Sequence, residues 1–175
     1  CGVALLAKGM TLGCVARPVQ RIVDAAGREV PADSPRVAFT LYEIRIRPGI
    51  LYQPHPAFAR ESNGKLLYHD LNPEELKDIY SLRDFPQTGT RELTAEDYAY
   101  QIKRLAHPRL HSPVFGLMSE YIVGLKAFAE ALKAEDEALA VSGTRNAWLD
   151  LSKTPLAGVE LVADATTNAV TVLIR

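Results

Sequence analysis

His107 and His111 have the spacing with which one helix presents two imidazoles to a zinc ion. Pro108 stands between them, and a proline inside a helix removes a backbone donor and clashes with the preceding turn. One continuous helix therefore cannot carry both side chains, and no glutamate follows His107 as the base of a metalloprotease motif. We expect two polar loop residues and no bound metal.

Other side chains with catalytic potential are scattered along the chain. His55 and the neighbouring His69 and Asp70 could act as ligands or as an acid–base pair only if a loop brings them together, and their spacing alone gives no such signal. The serines lack a nucleophile-elbow context, Cys14 has no adjacent base or helix start, and the glycines form no phosphate-binding loop. These observations favour a protein that is not an enzyme and has no cofactor.

The composition is that of an ordinary globular chain. Of the 175 residues, 47% are hydrophobic and 23% are charged, and the formal net charge is -1. This length suits one domain of roughly 100–200 residues, and a net charge near zero argues against nucleic-acid binding, which needs clustered Lys and Arg. No apolar run approaches the ~20 residues of a membrane-spanning helix. Because the chain begins with Cys1 and ends within a predicted strand, we expect it to be a fragment of a longer protein.

The first clear strand is predicted at residues 37–47. Its apolar positions change parity halfway along, and a one-residue slip exchanges the two faces of a strand, so this change predicts a bulge or two strands. In its second half, Glu43 and Arg45 are expected on a solvated face. Residues 1–35 lack clear periodicity and are interpreted as edge strands and loops, with a turn capped by Asp24.

Two amphipathic helices are predicted in the second half of the chain. Residues 94–106 begin with Thr94 as N-cap and Asp97 at the third position, a variant of the capping box, and their apolar residues share one face. Residues 113–135 are predicted to form a second helix capped by Ser112, with apolar residues at i, i+3, i+4 and i+7. Between the first strand and these helices, the chain is rich in Pro, Asn and Gly and is expected to be irregular.

Two closing strands, 161–163 and 170–174, are predicted at the end of the chain. With the first strand they indicate an α+β fold, a small antiparallel sheet packed by amphipathic helices. Phe115 and Leu117 lie outside the apolar stripe of the second helix. Apolar residues on a second helix face need a second partner, which is either another element or a ligand.

Several of these segments occur in the order found in one protein family. They are YEIRIRPGI at 42–50, LTAEDYAYQIKRL at 93–105, SPVF at 112–115, IVGLKAF at 122–128, GVELV at 158–162 and AVTVL at 169–173. Over residues 36–175 the chain resembles the extracellular solute-binding proteins of family 5, the periplasmic receptors for peptides in ABC importers. The clearest departure is the segment 51–88, an insertion where the family has a short loop.

The resemblance implies both a fold and a function. Residues 36–175 would form mostly the extra domain of the N-terminal lobe of a type II periplasmic-binding-protein clamp, preceded by an irregular segment at 1–35. The hinge, the opposite lobe and most ligand contacts would lie beyond Arg175. The intact protein would be monomeric, would have an upstream signal peptide, and would capture oligopeptides or a similar solute in the periplasm for an ABC permease. The family places an aromatic residue after Ser-Pro near the bound peptide, so Phe115, together with Val114, is the expected ligand contact.

Two alternatives stay open from the sequence. The first is a periplasmic hydrolase that uses His69, Asp70 and residues outside this chain. The second is a structural or interaction domain that binds no small ligand. Closure around a ligand without turnover would distinguish a solute-binding protein from both.

Overall fold

A computed structural model describes residues 16–142, 148–162 and 168–175. These residues form two compact units. One unit consists of 16–46 together with the described residues from 94 onwards, and the other consists of 47–93. No helix within these described ranges is long and apolar enough to cross a bilayer.

The larger unit is built on an open, four-stranded antiparallel sheet. The strands are β1 (Ala16–Val23), β2 (Phe39–Ile46), β3 (Val159–Leu161) and β4 (Ala169–Ile174). Their order in the sheet is β1-β2-β4-β3, so β2 and β4 are central and β1 and β3 are edges. With three helices, this sheet makes the α+β fold class that the sequence predicts.

The prediction of a bulge or of two strands within 37–47 is wrong. β2 pairs with β1 and with β4 in continuous register, and Glu43 stands opposite Val19 on one side and Thr171 on the other. Apart from Arg45, every residue of β2 is buried or half-buried. A central strand can therefore carry apolar residues on both faces, which explains the change of parity without an inserted residue.

Glu43 also differs from its expected solvated position, because only 7% of its surface is exposed. Its carboxylate accepts a hydrogen bond from Arg21 on β1 at 2.8 Å and another from Arg45 on its own strand at 2.6 Å. Both guanidinium groups are partly exposed. A buried carboxylate is tolerated when its charge is paired and its oxygens are hydrogen-bonded, and the two arginines meet both conditions.

The predicted turn after β1 is confirmed in detail. One carboxylate oxygen of Asp24 accepts the backbone N–H groups of Ala26 at 2.9 Å and Arg28 at 3.0 Å, and Gly27 takes a φ of 77°. The N–H of Arg28, followed by its guanidinium, lowers the pKa of Asp24 below its ordinary value. Hydrogen bonds to the ionised carboxylate of Asp24 therefore stabilise the turn.

The helix predicted at 94–106 is present as α1 (Ala95–Arg104). Thr94 is its N-cap, and the side chain of Asp97 accepts the backbone N–H of Thr94 at 2.9 Å, as the capping box requires. α1 packs on β2, β3 and β4. Its small residues Ala95 and Ala99 are the buried ones, whereas the larger apolar residues of the same helix are half-buried.

The single helix predicted over 113–135 is instead two helices, α2 (Phe115–Tyr121) and α3 (Leu125–Val141). Gly124 lies between them with a φ of 80°, a left-handed conformation that an α-helix cannot contain. The apolar spacing nevertheless continues across the break. Ile122 forms a β-bridge with β4, and the apolar stripe resumes on α3. Side-chain periodicity therefore did not reveal the backbone break.

The cap predicted for the second helix is also different. Val114 stands at the N-cap of α2 and makes no side-chain capping bond. Ser112 contributes its carbonyl oxygen, which accepts the backbone N–H of Phe115 at 3.3 Å. On α3 the buried residues are Leu125, Phe128 and Leu132, at the predicted helical spacing.

The two closing strands are present, but β3 begins at Val159, before its predicted start at residue 161. β4 covers 170–174 as expected, whereas β3 spans Val159–Leu161 rather than 161–163. Residues 163–167, which lie between the two strands, are outside the described part of the chain. Val170 and Val172 of β4 are buried, so this strand supplies a large part of the sheet's core.

Residues 47–93 form the smaller unit, which contains the segment 51–88. Its regular structure consists of two short 3₁₀ turns, Pro56–Phe58 and Leu82–Asp84, and of isolated bridges. The rings of Tyr52 and Phe58 lie 5.2 Å apart, and the guanidinium of Arg91 lies over both. Aromatic and cation–π contacts thus organise a unit that has little regular backbone.

Gly158 lies close to the backbone of Val123, and we predict that Gly158→Ala destabilises the fold. A Cβ atom there would lie 2.4 Å from the carbonyl oxygen of Val123, so the backbone must shift. The expected loss is about 1–3 kcal/mol in the free energy of unfolding, measured by urea denaturation.

Gly116→Ala is the matched control, because nothing lies within 4 Å of its Cβ position. Gly116 is in α2, where alanine is favoured over glycine by about 1 kcal/mol, so this variant should be as stable as the wild type or more stable. Equal stability of the two variants would contradict the packing assigned to Gly158.

Candidate functional site

A groove of about 520 Å³ lies between α1 and the segment that leads into β3, entirely within the larger unit. The α1 wall includes Glu96, Tyr100 and Lys103, and the opposite wall includes the apolar residues Leu156, Val159 and Leu161 together with Lys153 and Glu160. Both walls of the groove therefore carry charged residues.

The helical repeat explains why α1 presents these residues together. Glu96, Tyr100 and Lys103 are separated by four and three residues, and residues at i, i+4 and i+7 share one side of an α-helix. The backbone N–H of Ala95 donates to the side-chain oxygen of Asn168 at 2.6 Å, next to β4. This bond fixes the start of α1 relative to the sheet and thus sets that end of the groove.

Among the described residues, the strand wall has one unpaired residue on its outer edge, Leu161, because the backbone N–H of Val159 already donates to the carbonyl oxygen of Leu156 at 3.0 Å. Gly158 accepts from Leu173 at 2.8 Å and Val162 donates to Ala169 at 2.9 Å, so alternate residues of this strand bond to β4. The backbone N–H and C=O of Leu161 consequently point away from β4. Within the described residues they have no hydrogen-bond partner, and 48% of the Leu161 surface is exposed.

The far end of the groove is formed by a turn after Asp150. Its carboxylate accepts the hydroxyl of Ser152 at 2.5 Å and the backbone N–H of Ser152 at 3.1 Å. The hydroxyl of Ser152 and the ammonium of Lys153, 3.1 Å away, lower the pKa of Asp150. The charge of Lys153 is therefore paired outside the groove.

Three charged groups of the groove differ in how they are compensated. Within the described residues, the carboxylates of Glu96 and Glu160 have no ion-pair partner. Lys103 donates from Nζ to the carbonyl oxygen of Leu151 at 3.1 Å, which leaves its positive charge without a carboxylate. The helix wall thus bears one uncompensated charge of each sign.

Phe115 and Val114, the expected ligand contacts, lie at the start of α2 and do not line this groove. Phe115 is half-buried, and Val114 has 43% of its surface exposed. Both side chains are partly accessible to solvent. Their role as ligand contacts stays a prediction.

His107 lies in the loop between α1 and α2, as the sequence predicts, but only 2% of its surface is exposed. Its ring stacks on Trp148 with a centroid distance of 4.4 Å, and its Nδ1 accepts the backbone N–H of Arg109 at 3.1 Å. Nε2 is buried and has no partner among the described residues. Burial lowers the pKa of His107, against the attraction of Asp136.

The described residues place the other histidines in separate surroundings. His111 is exposed with a φ of 46°, and His55 accepts the N–H of Ala57 at the start of a 3₁₀ turn. His69 pairs with Asp70 at 2.7 Å, which lowers the pKa of Asp70, but both side chains are well exposed. No group of three His, Cys, Asp or Glu side chains among the described residues is arranged to hold a metal ion.

Sequence reasoning missed the groove, although part of its signal was local. Glu96 and Lys103 are seven residues apart in a helix whose cap was recognised, so their shared side was predictable. The strand wall was not, because β3 becomes an edge only through its pairing with β4. Edge position is a property of the whole sheet rather than of three residues.

No family model, curated protein or solved structure matches this chain. The function is therefore inferred from the groove and from the sequence motifs themselves.

We predict that the buried ring of His107 makes stability depend on pH. Because burial lowers its pKa in the folded chain below the ordinary value of 6.5, the unfolded chain takes up the proton first as pH falls. The stability is thus fully present above the unfolded pKa and is lost as pH falls below it toward the folded pKa. The urea midpoint of wild type should decrease between about pH 7.5 and about pH 5.5, and His107→Gln should reduce that decrease.

His111→Asn serves as the control, since His111 is exposed and asparagine tolerates a positive φ. This variant should keep the wild-type pH dependence. A His107→Gln variant with an unchanged pH dependence would show that His107 is not the titrating group.

Proposed function

We propose that this chain is part of the substrate-binding component of an ABC importer, which captures peptides or similar solutes in the periplasm. The observation that carries this proposal is the groove between α1 and the outer edge of β3, where Leu161 is unpaired among the described residues. It supports the proposal because a free edge residue beside apolar side chains is suited to an extended peptide. The order of the family-5 motifs in the sequence is the second support.

Strand addition explains how such a groove would recognise a peptide. An extended chain beside β3 can bond to the N–H and C=O of Leu161 while its side chains alternate toward and away from the groove. Main-chain hydrogen bonds do not depend on the peptide's sequence. A receptor built in this way therefore accepts a class of peptides rather than a single one.

The larger unit would then belong to the N-terminal lobe of a type II clamp, with the permease as its membrane partner. Capture in such a clamp occurs by hinge closure, in which the ligand stabilises the closed state through contacts that the open state lacks. This mechanism requires no chemical step. The exposed His69–Asp70 pair has no part in it.

We predict that, in the full-length natural protein, Leu161→Pro weakens binding of trialanine at least about tenfold relative to Leu161→Ala, measured by isothermal titration calorimetry. Proline removes the N–H on the unpaired edge, whereas alanine keeps it. Neither substitution removes a hydrogen bond to β4, because the backbone N–H and C=O at position 161 point away from β4. The melting temperatures of the two variants should therefore be similar.

Trialanine recovered intact after incubation would agree with capture and would oppose the hydrolase alternative. If trialanine and longer alanine peptides fail to bind the full-length natural protein, the proposed function is wrong. Equal affinities of the proline and alanine variants would exclude strand addition to β3.

The proposed role of Phe115 gives a separate prediction for the full-length natural chain. Phe115→Ala should lower peptide affinity while changing the melting temperature little, because a residue that faces a ligand cleft contributes mainly to binding. If Phe115 instead packs in the core, its truncation should lower the protein's free energy of unfolding by about 3–5 kcal/mol. Unchanged affinity with a large fall in melting temperature would reject the cleft assignment.

A further inference from the structure

We infer that Trp148 is a pH-sensitive latch beside the groove. It holds the segment 148–152, here called the strap, against His107 while the imidazole is neutral, and protonation of His107 releases it. The strap leads into one end of the groove, because Ser152 is among the lining residues. Release therefore changes the shape of that end, whatever class of ligand the groove binds.

The contacts of His107 require the neutral form of its ring. Nδ1 accepts the backbone N–H of Arg109 at 3.1 Å, which only an unprotonated nitrogen can do. The proton of the neutral ring is therefore on Nε2, which is buried without a partner among the described residues. A second proton turns Nδ1 into a donor that faces another donor, so the bond from Arg109 is lost.

The charged groups around His107 do not compensate for a second proton. α1 contributes Arg104, the loop itself contributes Arg109, and α3 contributes Asp136. Asp136 attracts an imidazolium, but its carboxylate already accepts a hydrogen bond from Nε of Arg109 at 2.7 Å. The strap packs on the ring with the uncharged Trp148. Burial outweighs the attraction of Asp136 and lowers the pKa of His107, so a proton taken up in place creates a poorly compensated buried charge.

Trp148 is the part of this arrangement that can move. Its ring stacks on the imidazole at a centroid distance of 4.4 Å, while 55% of its own surface is exposed. Leu149 and Leu151 are buried, so they anchor the strap in the core without Trp148. Outward movement of Trp148 thus admits water to the ring of His107 and leaves these anchors in place. A cation–π attraction between the protonated imidazole and the indole opposes release, but it is weak at so exposed a site.

The strap connects this movement to the groove over a few residues. The carbonyl oxygen of Leu151 accepts a hydrogen bond from Nζ of Lys103 at 3.1 Å, and Lys103 lines the groove from α1. The next residue, Ser152, also lines the groove and donates its hydroxyl to Asp150 at 2.5 Å. Movement of Trp148 therefore acts on the end of the groove that the turn after Asp150 forms.

Fluorine NMR of the full-length natural protein tests the latch. With 5-fluorotryptophan in place of tryptophan, the resonance of Trp148 is assigned by its loss in Trp148→Phe. Between about pH 7.5 and about pH 4.5, which contains the titration of histidine, this resonance should move toward its position in the urea-unfolded protein. The midpoint should lie below 6.5, because burial lowers the pKa of His107 from that ordinary value.

A second label tests whether release reaches the groove. Tyr100 lines the groove from α1, and its 3-fluorotyrosine resonance is assigned by its loss in Tyr100→Phe. This resonance should shift with the same midpoint as that of Trp148. If it stays constant while the Trp148 resonance moves, control of the groove by the latch is overturned.

Variants of two histidines identify the titrating group. His107→Gln keeps an acceptor for the Arg109 N–H but cannot titrate, so both resonances should lose their pH dependence. His111→Asn is the matched control and should keep the wild-type response, because His111 is exposed. If His107→Gln does not fold, His107→Phe retains a stacked ring without a titrating group and serves for the same comparison.

Far-UV circular dichroism distinguishes release from unfolding. The Trp148 resonance should finish its shift at pH values where the dichroism is unchanged, since the two leucine anchors stay buried. A resonance that does not move, that moves only together with the loss of dichroism, or that moves equally in His107→Gln would overturn the latch. Peptide binding has no part in these measurements, so their outcome is independent of the proposed function.

Discussion

The structure of the larger unit depends on the pairing of β2 with β4. Phe39–Ile46 and Ala169–Ile174 are far apart in sequence, so the closure of a long loop precedes any gain from their hydrogen bonds. Once paired, they provide the buried surface on which α1 packs and the two flanks to which β1 and β3 attach. Val170 and Val172 of β4 lie in this core.

The candidate site is a consequence of that pairing. The sheet ends at β3, so the backbone of Leu161 keeps hydrogen-bonding capacity that a central strand would have used internally. α1 covers the sheet beside this edge and is held there by its buried alanines and by the Ala95–Asn168 hydrogen bond. α1 and β3 thereby form the two walls of the groove.

Elements defined by short-range rules were predictable from the sequence. The capping box of Thr94 and Asp97, the turn at Asp24 and the apolar run that forms β4 each depend on residues within a few positions of one another. The α+β class followed from the succession of such elements. The shared side of Glu96 and Lys103 belongs to the same group, because helical geometry alone determines it.

The remaining features depend on contacts between residues that are distant in sequence. Glu43 can be buried because Arg21 of another strand pairs with its carboxylate, and His107 is buried because Trp148 stacks on its ring. Gly124 interrupts an apolar stripe whose spacing continues across the break, so periodicity could not locate it. By itself the sequence determined the local elements and the charges they carry, whereas only the tertiary structure determined which polar groups are buried and which strand edge is unpaired. The physical reason is that burial and edge position are set by long-range pairing, which local side-chain patterns do not encode.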